Sequence, residues 1–388
     1  MKKIVYLTSH HWDTKRQGGF HKFAEFTADN GIKTVFFSFP RPYYGYFMQR
    51  EQLNPVLLKL LNKGATYKTE KGSELVNVTF STLRLPDGIT RFLPDFFANW
   101  LLTHSIQSFR RFDKKFFKDA DCFVFESCEG VALLKKIRKL HPEAKVVYRP
   151  SDPMVYASIP ERVKKLELAM LKDADLVLLV NDKGLEAYKK EIPDFENSVN
   201  YEILSNGVDI ESYLKTYEKP EALKKENTML YVGAWEVEWN LIFECADKHT
   251  EYNFIIVCPN VPEKGILYQL ANHKNVNYIP GIKPAEVPAY ITNCSVVIIP
   301  YVTDFYRDRP LGITAKYYQA MAAGKPIVAY HDTPLLKDAG AEVTYSYEDF
   351  EKALEKALKN PSPKYSFNLK DRTWEKICAK FLEQIKKV

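Results

Sequence analysis

The run GITAKYYQAMAAGKPIVAY at residues 312–330 carries the densest chemistry in the chain. Thr314 stands where an N-cap belongs and Gly324 where a C′ glycine belongs. That predicts a short helix over 315–323, followed by a buried strand that Pro326 opens. Lys316 falls in the first turn of this helix, where the dipole disfavours a cation by roughly a few tenths of a kcal/mol. A lysine there makes sense if an anion arrives at the same end, because free backbone N–H groups and an ammonium together grip a diphosphate. Gln319 shares that face one turn on and is placed for a sugar hydroxyl or a phosphate. The plain alternative is a surface lysine and glutamine on an ordinary helix. Tyr317, Tyr318 and Met321 read as packing residues.

The elements that must position these groups follow an α/β rhythm. Short β-branched and aromatic runs predict strands at 3–9, 33–39, 121–126, 145–149, 175–180 and 201–204 in the first half. The second half repeats the pattern at 228–233, 253–258, 295–300 and 326–330. Helical stretches such as 19–30 and 160–173 fall between them. Continuous apolar strands alternating with helices imply parallel sheets covered on both faces, here two Rossmann-like domains facing each other across a cleft. The turn dipeptide Asn206-Gly207 sets a boundary after residue 205. A second domain then runs over 206–369. The amphipathic helix at 370–388, with Trp374, Ile377, Phe381 and Ile385 on one stripe, is a candidate to pack back on the first domain. Ligands of such sheets bind outside the carboxyl ends of the strands.

Composition bounds the class. The 388 residues, 46% apolar and 27% charged, suit two soluble domains with full cores. Six scattered cysteines with no CxxC pair read as buried reduced thiols. The start MKKIVYLTSHHWD has too short an apolar run for a secretory signal, and no stretch approaches the ~18 apolar residues of a membrane span. A cytoplasmic protein is expected. The formal charge of +6 suits an anionic partner. No helix-turn-helix, zinc finger or RNP-like run points to nucleic acid.

Four segments, LSNGVD, YVGAWEVEWN, NVNYIPGIKPAEVPAYITNCSVVIIPY and GITAKYYQAMAAGKPIVA, stand in the order and spacing found in GT-B glycosyltransferases. GGFHKFAEFTADNGIKTVFF resembles the first domain of those enzymes more loosely. The resemblance implies a first domain that binds an acceptor and a second that binds a nucleotide sugar. Retaining hexosyltransferases of this superfamily carry two glutamates eight residues apart; Gln319 and Leu311 stand at those positions here. The K-x-x-Q arrangement instead resembles the inverting glucuronosyltransferases of xanthan-type exopolysaccharide synthesis, in which the lysine holds the diphosphate. By the same resemblance Tyr301 is a further donor contact, and the backbone of Ile282 and Lys283 in PGIKP reads a uracil edge. Gly233 and Ala234 resemble the glycine-bearing loop of those enzymes, where backbone can approach a phosphate, and Trp235 is expected to line the cleft.

An inverting transfer is one in-line displacement, needing a base on the acceptor hydroxyl and stabilisation of the leaving diphosphate. Asp152, in the Pro-bounded loop after the strand KVVYR, is the expected base, and Glu126 at the end of CFVFE is its rival. His10 and His11 are expected on the acceptor, and Gly18-Gly19 opens a helix towards an anion. His10, His11 and His21 fit no standard metal spacing, so no metal or other cofactor is expected beyond the UDP-sugar co-substrate.

Between Arg91 and Lys118 six basic residues (Arg91, Arg110, Arg111, Lys114, Lys115, Lys118) interleave with aromatics. That composition suits either an interfacial helix on anionic lipid, placing the protein on the inner face of the cell membrane, or a helix pair with its stripe in the core. The expected activity is transfer of a sugar, with glucuronate a candidate, from UDP to a lipid-linked or polysaccharide-precursor glycan. Rival readings are a retaining hexosyltransferase, a UDP-sugar 2-epimerase-like isomerase and a non-catalytic sugar-binding partner.

Overall fold

The computed structural model describes every residue except 15–16, 46–63, 157–158, 235 and 303–311. The chain divides into two compact units, Met1–Ser205 with Ile377–Val388, and Asn206–Lys376.

The first unit is built on an eight-stranded sheet. Its strands are β1 (Lys3–Thr8), β2 (Lys33–Pro42), β3 (Ala65–Lys68), β4 (Glu74–Thr82), β5 (Cys122–Glu126), β6 (Lys145–Arg149), β7 (Leu176–Leu179) and β8 (Tyr201–Ile203). They lie in the order β3-β4-β2-β1-β5-β6-β7-β8, parallel except for the antiparallel edge strand β3. Strands β5 and β7 are buried along their whole length, and β1 and β6 at every position but the first, as expected of a sheet with helices on both faces. The last helix, Trp374–Lys387, gives its Ile377, Cys378, Phe381, Leu382 and Ile385 side chains to this unit's interior. Phe381 meets Phe23 at 4.5 Å and Tyr6 at 6.2 Å between ring centroids.

The second unit holds β9 (Thr228–Val232), β10 (Asn253–Val257), β11 (Val276–Ile279), β12 (Val296–Pro300), β13 (Ile327–Tyr330) and β14 (Glu342–Thr344), all parallel, in the order β11-β10-β9-β12-β13-β14. The ten strands read from apolar runs all form, within three residues at each end. Strands β3, β4, β11 and β14 escape that reading: three of them are only three or four residues long and partly exposed. The ELVNVTFST of β4 dilutes its apolar run with polar residues.

Strand order reverses direction between β1 and β5 in the first sheet and between β9 and β12 in the second. Crossover helices leave the sheet in opposite senses at such points, which opens a crevice beyond the strand ends. All six cysteines are buried and unbridged. Among the described residues, no helix is long and apolar enough to cross a membrane.

Candidate active site

At the reversal point of the first sheet, Thr8 ends β1 and Glu126 ends β5, and the Thr8 hydroxyl donates to Glu126 Oε2. The other carboxylate oxygen accepts from Ser151 Oγ at 2.8 Å. Glu126 is buried, and the guanidinium of Arg149 lies close enough to feel its charge. Both oxygens of Glu126 are thus taken, one by Thr8 and one by Ser151 of the loop after β6, and the turn Glu129–Leu133 that follows has Cys128 as its N-cap. Asp152 stands exposed in that loop, and the amides of Ser151 and Asp152 both donate to Ser127 Oγ, at 3.0 and 3.2 Å.

The histidines of the first loop divide by role. His21 is buried; its Nδ1 accepts from the Gly18 amide at 3.2 Å and its Nε2 lies 2.8 Å from the His11 carbonyl. It thereby closes the N-terminus of the helix Gly19–Asp29, and burial holds its pKa down at about 4. This corrects one expectation: the Gly18 amide is already taken, so Gly18 does not offer it to an anion, and Gly19 begins the helix behind it. Both ring nitrogens of His11 are buried without a hydrogen-bond partner among the described residues. Burial, then Arg41, keep that ring neutral, with a pKa of about 2. His10 lies half-buried beside His21, at 5.9 Å. Among the described residues, no group of three His, Cys, Asp or Glu is placed to hold a metal.

The second unit's reversal point holds Lys316. The helix Ala315–Ala322 starts after Thr314, whose hydroxyl makes no capping bond and is buried without a partner among the described residues. Gly324 ends it with φ +64°, the left-handed conformation that glycine adopts without strain. Lys316 Nζ donates to Tyr301 Oη at 2.5 Å and lies 4.8 Å from the Tyr301 ring and 5.2 Å from the Tyr231 ring. Burial lowers its pKa to about 8, against the pull of Asp332. Gly233, just past β9, lies so near that a Cβ would stand 2.5 Å from Tyr231 Oη and 2.9 Å from Lys316 Nζ, so no side chain fits without moving the lysine. Gln319 is half-buried on the same helix.

The other expected donor residues differ in how far their polar groups are already committed. Tyr301 is fully buried, and its hydroxyl accepts from Lys316. The Lys283 amide donates to Glu286 Oε2 at 2.7 Å and its carbonyl accepts from the Glu286 amide at 2.9 Å. The peptide of half-buried Ile282 stands next to Gly281 at φ +108°. Ala234 is exposed, its carbonyl accepting from Asn260 at 2.7 Å, whereas Trp235 lies outside the described residues.

Two groups escaped the sequence reading. Tyr317, taken as packing, donates its hydroxyl to Asp332 and also bonds Tyr301, giving a chain Asp332–Tyr317–Tyr301–Lys316. Asp332 is fully buried, accepts from the Thr333 amide at 2.6 Å, and is pushed up to about 6 by burial. It follows β13 at the carboxyl edge, the same rule of place that nominated Asp152. Glu167 is the second; its signal was an acid on the apolar stripe of Val163, Met170 and Leu171.

Residues 6–180 match the family described as glucuronosyltransferase GumK, N-terminal domain, and residues 227–360 match glycosyl transferases group 1. Each match lies inside one of the two compact units. The chain is a GT-B glycosyltransferase.

Solved structures of the same fold resemble this glycosyltransferase over its whole length. Sucrose-phosphate synthase from Thermosynechococcus elongatus is 14% identical with a TM-score of 0.70, covering 100% of this chain and 99% of its own. The UDP-forming α,α-trehalose-phosphate synthase from Burkholderia vietnamiensis is 11% identical, TM-score 0.66, covering 100% of both chains. An E. coli protein titled trehalose-6-phosphate, bound with UDP-2-fluoro glucose, is 13% identical, TM-score 0.61, covering 100% and 96%. At these identities the likeness establishes the fold alone. No curated protein sequence matches the chain.

Proposed function

We propose that the enzyme transfers a sugar, glucuronate in the first instance, from a UDP-sugar to a lipid-linked or polysaccharide-precursor glycan with inversion. The observation that carries the donor half is Lys316, held by Tyr301 and Tyr231 at a helix N-terminus beside Gly233. A diphosphate there meets an ammonium and first-turn amides together. The match to a glucuronosyltransferase N-terminal domain supports that enzyme branch and makes glucuronate the first sugar to try, and the absence of the glutamate pair at Leu311 and Gln319 supports inversion. In this reading Asp152 takes the proton of the acceptor hydroxyl as its oxygen attacks the anomeric carbon. The bond from that carbon to the diphosphate breaks with its electron pair, and Lys316 meets the charge left on UDP.

A lipid-linked acceptor fits the exposed face of the first unit. The sequence-level cluster splits there: Phe112, Phe116 and Phe117 enter the core, while Phe92, Phe96, Phe97 and Trp100 are exposed together with Arg91, Arg110 and Arg111. Rings and guanidinium groups in this mixture suit an anionic lipid surface.

A thermal-shift panel of UDP-, GDP- and dTDP-sugars tests the donor. A true donor at a hundredfold excess over Kd stabilises by about 2.7 kcal/mol. Product configuration by NMR decides inversion; a retained anomer favours a retaining hexosyltransferase. Epimerised donor without acceptor points to an isomerase, and tight binding without turnover to a non-catalytic partner. Full activity with chelator present is expected, because Lys316 supplies the charge a metal would bring.

A further inference from the structure

The loop bearing Asp152 is also held from beneath, by a group that the transfer itself does not use. Glu167, at the middle of the helix Glu161–Asp173, has no exposed surface. Its Oε1 accepts from Tyr148 Oη on β6 at 2.5 Å and from Tyr188 Oη on the helix Asp182–Glu191 at 2.7 Å. Its Oε2 accepts from the Met154 amide, two residues beyond Asp152, at 2.7 Å. An ionised carboxylate takes all three donors, whereas a protonated carboxyl brings an O–H of its own and turns one of them away.

We infer that ionised Glu167 is a positioning residue, fixing the backbone of residues 150–156 so that Asp152 is presented to the acceptor. The inference rests on the reading of Asp152 as the base. Ser127 pins the loop at Ser151 and Asp152, and Glu167 pins it at Met154, so the carboxylate of Asp152 stands between two anchored peptides.

The groups facing Glu167 are phenols. Tyr148 and Tyr188 touch it, and Tyr156 of the loop lies near Tyr188. Glu129, on the turn packed against this helix, is paired with Arg84 at 2.9 Å and Arg162 at 2.7 Å. On Glu167's own helix, Lys164 turns to Glu161 and Lys165 to Asp95. With no cation beside it among the described residues, burial raises the Glu167 carboxyl to about 7, its three hydrogen bonds pulling the other way.

This sets activity and stability in opposition. A folded pKa above the unfolded value near 4.5 means that the folded chain binds the proton more tightly. Its stabilising contribution is therefore full below about 4.5 and is lost as pH rises through 7. The loop-holding ionised form predominates above about 7 and falls away below it. A merely structural carboxyl makes rate and stability fall together; a positioning carboxylate makes the rate fall on the acid side while the fold gains.

The test uses the full chain with donor and acceptor, measuring kcat, donor KM and thermal unfolding from pH 5.5 to 9. The wild type is expected to lose kcat below about pH 7, tenfold per unit, with no matching loss of melting temperature. In Glu167→Gln, kcat at pH 8 falls about 10- to 100-fold, donor KM is unchanged and the acid limb near 7 disappears. Persistence of that limb with kcat intact overturns the inference. If Glu167→Gln does not fold, Tyr188→Phe removes one donor to the carboxylate and moves the limb to higher pH; an unmoved limb overturns it. Amide hydrogen exchange of residues 150–156 separates this inference from the base assignment. Faster exchange in Glu167→Gln supports the anchor even where Asp152→Asn stays active, and unchanged exchange overturns it whatever Asp152 does.

Discussion

Glu167 in the first unit and Lys316 in the second are built alike and used differently. Each is an ionisable group set among tyrosines near the carboxyl edge of a parallel sheet, and burial moves each towards neutrality, up to about 7 and down to about 8. Tyrosine suits both signs: Tyr148 and Tyr188 donate hydroxyls to a carboxylate, whereas Tyr301 and Tyr231 offer an oxygen and ring faces to an ammonium. The difference is access. Glu167 is sealed and acts only on protein groups, two phenols and the Met154 amide, whereas Lys316 retains some exposed surface and can meet an anion. A perturbed pKa marks both sites, but only exposure tells a ligand contact from a support.

The largest expected effect lies where the sealed site hands over to an exposed one. Asp152→Asn removes the proposed base and keeps the loop's backbone bonds, so kcat is expected to fall about 10²- to 10⁴-fold with unchanged melting temperature. An Asp152→Asn enzyme that transfers at full rate with normal folding would falsify the assignment. On the other side, Lys316→Met removes the cation and keeps the stem, at an expected cost of about 10²- to 10³-fold in kcat/KM. Lys316→Arg is expected to recover little, because a planar fork cannot sit between two phenol rings built round a compact ammonium. Equal activity of the Met variant and the wild type breaks the comparison, since Lys316 is then a packing residue like its neighbours.

How far the sequence reveals these sites depends on whether the group sits in a local pattern. The α/β rhythm comes from runs of apolar residues, which reflect local burial, and it places Asp152, Glu126 and Lys316 at strand ends or at a helix start. Hydrogen-bond commitment is tertiary. Nothing near Glu126 announces that Thr8, 118 residues away, occupies one of its oxygens. The bond from the Lys283 amide to Glu286 is local, yet a lysine has no acceptor and K-x-x-E lacks the Ser/Thr that marks a capping box in sequence. Asp332 and Glu167 carry signals of place, one after a strand and one on an apolar stripe, that only burial turns into function.

A smaller effect comes from crowding round Lys316. Gly233→Ala puts a methyl where Tyr231 Oη and Lys316 Nζ already lie, within 2.5 and 2.9 Å. The lysine must shift by several tenths of an ångström. Donor KM is expected to rise about tenfold, the roughly 1–3 kcal/mol typical of overpacking, while the fold persists because the loop is half-exposed. Donor titration calorimetry on Gly233→Ala at fixed pH reads this directly; an unchanged Kd means the diphosphate lies elsewhere.

The finest test concerns the hydrogen-bonded chain behind Lys316. Donor affinity is expected to be flat up to about pH 8 and then to weaken towards tenfold per unit, because the ammonium is lost above that pKa. Tyr301→Phe keeps the ring face but removes the oxygen that accepts from Lys316. About 0.5–1.5 kcal/mol of a single hydrogen bond is lost, three- to tenfold in Kd. The same oxygen favours the charged form, so its removal also shifts the alkaline limb to lower pH. Asp332→Asn takes away the carboxylate that raises the Lys316 pKa and shifts that limb the same way while leaving Tyr301 in place. Two variants that weaken donor binding without moving the limb leave Tyr301 and Asp332 as packing residues. Movement of the limb in both makes the buried Asp332 of the second unit the counterpart of Glu167 in the first: each is a sealed carboxyl acting on a group that meets the substrate, Asp332 through tyrosines and Glu167 through the Met154 amide.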